Sequence, residues 1–146
     1  MKKNIVIRVD ANKKIGLGHL LRVKGFIYRN IKIYNKFIII TKGDKKILNK
    51  ILNHKKIKIF QIKGKFLEEV KKIHKIIEKF QCKILLSDIS YSYYLNLNNF
   101  FRRYHSYFKN NNILTVSIDD PRQFLNSDLS IIPYPINKKF LKSEKN

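Results

Sequence analysis

Residues 4–22 constrain the fold of this chain more than any other stretch. They begin with a continuous, β-branched run at residues 4–9, which is typical of a buried parallel strand. A short loop follows, and then Gly16 and Gly18, which let the backbone turn sharply and a ligand come close. In parallel sheets, ligands bind outside the carboxyl ends of the strands, where helix N-termini attract anions. His19 is therefore predicted to lie at the start of a helix, where a catalytic base or a phosphate contact is useful.

The two glycines do not complete a dinucleotide-binding motif. The position of the third glycine is Leu21, and residues 41–43 stand where an acidic residue would follow the second strand. A nicotinamide or flavin site is therefore disfavoured, and we expect no cofactor. The alternative to a functional site is that the glycines only let the helix pack on the strand, with His19 as its cap.

Short apolar runs alternate with longer amphipathic ones along the chain, which predicts βαβ units and a parallel sheet. The expected fold class is α/β, a single Rossmann-like domain with helices on both faces of the sheet. Lysines interrupt the third strand and place it near an edge, and the first helix is expected to be largely covered. The predicted strands are 4–9, 37–41, 57–62, 83–87, 113–118 and 129–132, and the predicted helices are 18–30, 44–53, 66–80 and 95–108.

Length and composition agree with one globular domain, since the chain has 146 residues, of which 44% are hydrophobic. No apolar run reaches the roughly 18 residues of a membrane span, and the first residues do not resemble a secretory signal. The single cysteine, Cys82, excludes an internal disulfide and is expected in the core. We therefore expect a cytoplasmic protein without a membrane partner.

The net charge of +22, from 32 Lys and Arg against 10 Asp and Glu, raises the possibility of a nucleic-acid partner. However, the lysines are spread along the whole chain, and recognition motifs of nucleic-acid modules are absent. An AT-rich genome accounts for such a composition. We expect nucleic acid to adhere only non-specifically through charge, and a non-catalytic basic module remains one alternative.

The run IRVDANKKIGLGHLLR at residues 7–22 resembles the N-terminal signature of a hydrolase family. This is the UDP-2,4-diacetamido-2,4,6-trideoxy-β-L-altropyranose hydrolase family of pseudaminic acid biosynthesis. Its members are related to the sugar-nucleotide glycosyltransferases with two Rossmann-like domains. Residues 84–88, 116–120 and 128–134 also resemble family segments in order and spacing. The resemblance covers about residues 4 to 136.

The chain departs from the family in two places. Ser90 stands where the family tends to have a tyrosine, with Tyr91 one position later, and the chain stops at Asn146, before a second domain of similar size begins. We expect residues 1–137 to be the N-terminal half of a GT-B-like two-domain fold and residues 138–146 to be a polar tail. A separately encoded C-terminal domain is then a possible partner.

Several candidate site residues lie at predicted strand ends, which a doubly wound sheet brings to one edge. The resemblance implies that His19 is the base for the water that displaces UDP from the sugar, without a metal, and that Asp10 orients His19 or binds sugar hydroxyls. The alternative for each aspartate is a cap or turn role. The predicted substrate-binding residues are Gly16, Gly18, Arg22, Asp88, Tyr91 and Asp119, with Asp120 beside the last.

No metal site is expected, because His54, His74 and His105 lack the spacing of metal ligands. The predicted function is the N-terminal half of a sugar-nucleotide hydrolase that releases UDP from a UDP-linked diacetamido-trideoxy sugar. Activity is expected only when a second domain completes the enzyme. The alternative within the same fold is the acceptor-side domain of a sugar-nucleotide glycosyltransferase.

Overall fold

A computed structural model describes residues 3–89, 100–118 and 127–131 of the chain. Residues in these ranges form six strands and four helices. In chain order they are β1 (Ile5–Val9), α1 (Gly18–Arg29), β2 (Phe37–Thr41), α2 (Lys45–Ile51), β3 (Ile57–Gln61), α3 (Phe66–Lys79), β4 (Ile84–Asp88), α4 (Phe100–Lys109), β5 (Leu114–Ile118) and β6 (Leu129–Ile131).

The six described strands form one sheet in the order β3-β2-β1-β4-β5-β6, and each neighbouring pair is parallel. From β1, strands β2 and β3 are added in sequence on one side. The chain then returns to the other side of β1, where β4, β5 and β6 are added in sequence. The order therefore reverses between β1 and β4, where Val9 pairs with Asp88. This is a doubly wound α/β fold, and its switch point is the crevice in which such folds bind ligands.

Each face of the sheet has its own apolar core. Helices α1 and α2 cover the face to which Ile5, Ile7 and Val9 belong. Helices α3 and α4 cover the other face, which includes Val6. Successive side chains of a strand point to opposite faces of the sheet. Alternate residues of β1 and β4 therefore pack against different pairs of helices.

The predicted elements agree closely with the observed ones. β2 has the predicted bounds, β3 lies at an edge as its lysines indicated, and most other ends differ by one or two residues. Of the predicted helix 95–108, the first five residues lie outside the described ranges. Cys82 is buried as predicted, and burial raises the pKa of its thiol to about 11.

The expectation of a largely covered first helix is wrong. Only Leu20, Val23 and Ile27 of α1 are buried, at the helical spacing of a single stripe, and the Leu21 side chain is 54% exposed. No helix within the described ranges is both long and apolar enough to cross a membrane.

Candidate active site

The loop between β1 and α1 is held by its own side chains and by one glycine. The Asn12 side-chain oxygen accepts hydrogen bonds from the backbone N–H of Lys14 and Ile15, at 2.8 and 2.9 Å. The Gly16 N–H donates to the Asn12 carbonyl at 2.9 Å, and Gly16 has a φ of +82°. Such an Asx-type turn closed by a left-handed glycine is a defined local structure. This turn fixes the position of the first residue of α1 relative to the end of β1.

Helix α1 begins without a side-chain cap among the described residues. Its N-cap position is Leu17, and the His19 side chain does not bond to the helix backbone. The alternative that His19 caps this helix is therefore wrong. The amides of the first turn keep their partial positive charge at the switch point of the sheet.

The imidazole of His19 instead contacts the carboxylate of Asp88 at the end of β4. His19 Nδ1 lies 2.6 Å from Asp88 Oδ1. Arg22, one turn further along α1, donates from Nε to Oδ2 at 2.8 Å and from Nη2 to Oδ1 at 2.7 Å. Asp88 is fully buried, and its two oxygens accept three hydrogen bonds from one helix. We call His19, Arg22 and Asp88 the His19 cluster.

We assign the ring proton of His19 to Nδ1, because a carboxylate only accepts and the contact of Nδ1 with Asp88 is shorter than its contact with Arg22 Nη2. In this tautomer, Nε2 is the acceptor of the ring. Arg22 Nη2 is 3.0 Å from Nδ1, and Asp88 Oδ1 accepts from both groups. The His19 side chain is 19% exposed, so the ring is reachable from solvent. A histidine oriented by a carboxylate in this way is suited to general-base catalysis.

A second charged cluster lies at the same edge of the sheet. Arg8 donates to Glu69 Oε1 at 3.0 Å from Nη2 and at 3.2 Å from Nε, and it also contacts Asp10. Lys42 Nζ lies 3.0 Å from Glu69 Oε2. We call Arg8, Asp10, Lys42 and Glu69 the Arg8 cluster. Two cations balance two anions in it, as burial of charge requires.

The structure does not place Asp10 against His19, which corrects the expectation that Asp10 orients the histidine. Arg8 and Asp10 face α3, whereas Val9, between them, faces α1, as does its register partner Asp88. Alternation along the strand thus sends Asp10 to the opposite face of the sheet. Asp88 makes the contact that was expected of Asp10.

The phenol of Tyr104 on α4 lies beneath the Arg8 cluster. Burial raises the pKa of Tyr104, while the positive charge of Arg8 opposes that shift. The phenol is therefore neutral at physiological pH and adds no charge to this face.

The glycines of the site differ in what they require. A Cβ on Gly18 would meet open space, whereas a Cβ on Gly43 would lie 2.3 Å from the Ala11 carbonyl oxygen. Gly43 was not among the predicted site residues, although it lies only two residues after the end of β2. The β2–α2 turn and the β1–α1 loop therefore touch backbone to backbone.

The remaining predicted site residues, Tyr91 and Asp119 with its neighbour Asp120, lie outside the described residues. Within the described ranges, no three His, Cys, Asp or Glu side chains are grouped so that they could hold a metal ion. Sequence reasoning also missed Arg8 and Glu69. The signal was available for Arg8, because a cation inside an apolar central strand needs buried anions.

No protein-family model matches this chain, and no curated protein matches it. Among solved structures, the chain is similar to the α/β-galactoside α-2,3-sialyltransferase of the luminous marine bacterium Photobacterium phosphoreum. The two share 15% sequence identity with a TM-score of 0.43, over 81% of this chain and 29% of that one. The chain thus spans less than a third of that structure.

Proposed function

We propose that this chain is the water-activating half of a sugar-nucleotide hydrolase, which releases UDP from a UDP-linked diacetamido-trideoxy sugar. The substrate class comes from the resemblance of residues 7–22 to the hydrolase family. The observation that carries the proposal is the 2.6 Å contact between His19 Nδ1 and Asp88 Oδ1 at the switch point of the sheet. It gives His19 the tautomer and orientation of a general base.

In the proposed reaction, His19 Nε2 removes a proton from a water molecule while the oxygen of that water attacks the anomeric carbon of the sugar. The bond from that carbon to the terminal phosphate oxygen of UDP breaks, and UDP leaves with the electron pair. Asp88 stabilises the positive charge that forms on His19, and Arg22 holds the Asp88 carboxylate in place through two hydrogen bonds. His19 then returns the proton to solvent.

The charge at this edge suits a substrate that carries a diphosphate. The first turn of α1, which begins at Gly18 beside the His19 cluster, favours negative charge through its backbone amides. Gly18 leaves the space beside this turn open. The basic balance of the whole chain adds long-range attraction for anions.

The proposed enzyme requires a second domain. Binding energy from the nucleotide must position the anomeric carbon next to the base, and the resemblance assigns most of the nucleotide site to the second domain. We expect little turnover from the 146-residue chain alone.

The acceptor-side domain of a sugar-nucleotide glycosyltransferase is the second candidate. The same His19–Asp88 pair favours it equally, because a base that deprotonates water also deprotonates an acceptor hydroxyl.

Product analysis in heavy-oxygen water tests both functions. The chain is combined with a second domain encoded by the adjacent coding sequence and incubated with UDP-sugar, with and without acceptor sugars. A hydrolase releases free sugar that carries the heavy oxygen in both cases. A product formed only with an acceptor supports the transferase, and UDP release by the isolated chain at the full rate contradicts the need for a second domain.

A further inference from the structure

We propose that Asp10 is a positioning residue, through which the Arg8 cluster fixes the β1–α1 loop, and with it His19, from the opposite face of the sheet. The consequence for catalysis rests on the proposed function, whereas the positioning itself does not.

Asp10 is bonded at the point where β1 leaves the sheet. Its Oδ1 accepts from the Lys42 backbone N–H at 2.6 Å and from Thr41 Oγ1 at 3.3 Å, in addition to the contact with Arg8. The side chain is 1% exposed. A carboxylate that accepts from a backbone amide in a buried site makes a strong hydrogen bond. Asp10 therefore ties the end of β1 to the end of β2.

Ala11, the next residue, is clamped against the β2–α2 turn. The Asp44 N–H donates to the Ala11 carbonyl at 2.9 Å, and Gly43 packs so closely on the Ala11 backbone that a Cβ would clash. The turn braced by Asn12 and Gly16 begins directly after Ala11 and ends where α1 starts. No slack segment separates Asp10 from the helix that carries His19.

The charge balance of the cluster explains why Asp10 is held. Arg8 is fully buried and needs both of its carboxylate partners, Asp10 and Glu69. Removal of one anion leaves a buried positive charge that is only partly compensated. Glu69 bonds to Arg8 and to the Lys42 side chain, but it makes no hydrogen bond to the loop. Glu69 is therefore the matched control, since its loss disturbs the same charges without touching the loop.

The first test compares Asp10→Asn with Glu69→Gln in the 146-residue chain by amide hydrogen exchange. We expect both variants to lower the melting temperature. Only Asp10→Asn should speed exchange at the Lys42, Gly16 and Asp44 amides, by about tenfold, because the hydrogen bond from the Lys42 amide is no longer charge-assisted and the loop beside it loosens. The ¹⁵N signals of the His19 ring should also shift in Asp10→Asn alone. Unchanged exchange in Asp10→Asn, or equal changes in both variants, overturns the proposal.

A second variant keeps the test decisive if Asp10→Asn does not fold. Gly43→Ala leaves every charge in place and pushes the Ala11 backbone away from the β2–α2 turn. We expect the same faster exchange at Gly16 and the same shift of the His19 ring signals. A folded Gly43→Ala chain with wild-type exchange and ring signals contradicts the inference.

The catalytic consequence is measured in the completed enzyme. A misplaced base lowers kcat by about ten- to a hundredfold with little change in KM, so Asp10→Asn should do this and Glu69→Gln should not. If the wild-type enzyme does not hydrolyse UDP-sugar while the exchange results hold, the proposed function fails and the positioning role stands. Equal kcat losses in the two variants exclude Asp10 as a specific positioning residue.

Discussion

The two charged clusters at the carboxyl edge of the sheet differ in how far their side chains reach solvent. In the His19 cluster, the Asp88 carboxylate accepts hydrogen bonds from His19 and from Arg22. The His19 and Arg22 side chains are 19% and 28% exposed. A solvent-accessible histidine held by a carboxylate at the switch point of the sheet is suited to a functional site.

In the Arg8 cluster, Arg8, Asp10 and Glu69 are at most 1% exposed, whereas Lys42 at its margin is 29% exposed. Removal of one of the three buried charges leaves its partners uncompensated, which is costly. Of these two neighbouring clusters, the one whose histidine reaches solvent is suited to chemistry, and the one whose arginine and two carboxylates are buried is suited to holding the fold.

The largest effect is expected at His19. In the completed enzyme, His19→Ala should reduce kcat by about 10²–10⁴, the usual contribution of a general base. His19→Asn should be as damaging, because an amide cannot accept the proton from water. Both should lower the melting temperature modestly, because the buried Asp88 carboxylate loses its hydrogen bond from His19 Nδ1.

The control for this measurement is His54→Ala, which removes a histidine whose Nδ1 accepts a hydrogen bond from the Lys56 amide. It should keep wild-type turnover. Near-wild-type kcat in His19→Asn would end the interpretation of the His19 cluster as a catalytic base and its orienting partner.

The next largest expected effect is on the free energy of unfolding, which should fall more when the Arg8 cluster is disrupted than when the His19 cluster is. Arg8→Met strips the cation from two buried carboxylates and should lower the free energy of unfolding by about 3–5 kcal/mol. Arg22→Met leaves the fully buried Asp88 carboxylate bonded to His19 and should cost about 1–3 kcal/mol. Urea unfolding of the isolated chain measures both. Equal losses would mean that the Arg8 cluster is no more structural than the His19 cluster.

A smaller effect is expected at Asp88. Asp88→Asn keeps the shape of the side chain but removes the charge that supports protonated His19. A hydrogen bond to a charged group contributes about 1.5–3 kcal/mol, so kcat should fall about ten- to a hundredfold. Asp44→Asn, at the exposed cap of α2, is the matched control and should keep wild-type kcat. If both variants turn over alike, Asp88 does not orient the base.

The smallest effects concern the two glycines of the loop. Gly16→Ala forces alanine into a left-handed conformation and should destabilise the chain by about 1–2 kcal/mol. Gly18→Ala meets no steric obstacle and should change the free energy of unfolding by at most about 0.5 kcal/mol. Thermal unfolding distinguishes them, and a reversed order would contradict the observed loop geometry. A loss of substrate affinity in Gly18→Ala alone would sharpen the assignment of the crevice.

The sequence predicted the sheet well, because its strands are continuous apolar runs such as Phe37–Thr41, whose ends are marked by turn residues. It also predicted that His19 and the end of β4 share one edge, since this follows from chain order in any doubly wound fold. The exposure of Leu21 was missed because an apolar residue beside a functional edge does not reveal whether anything covers it.

The sequence could not predict which charged residues pair with each other. Deciding between Asp10 and Asp88 as the partner of His19 needs the register of β1 against β4, in which Val9 pairs with Asp88. A shift of one residue would bring the two aspartates to the same face of the sheet. Register depends on tertiary packing, and Glu69 likewise becomes a partner of Arg8 only after α3 has docked.

The position of the switch point has a consequence for the order of assembly during synthesis. β1, α1, β2, α2 and β3 are contiguous and leave the ribosome first, whereas Asp88 is 69 residues beyond His19. Until β4 arrives, one edge of β1 is unpaired, and His19 has no carboxylate. Such a long-range closure is slow compared with local pairing. The base is therefore assembled only when the two halves of the sheet join, so partly made chains carry its histidine without its orientation.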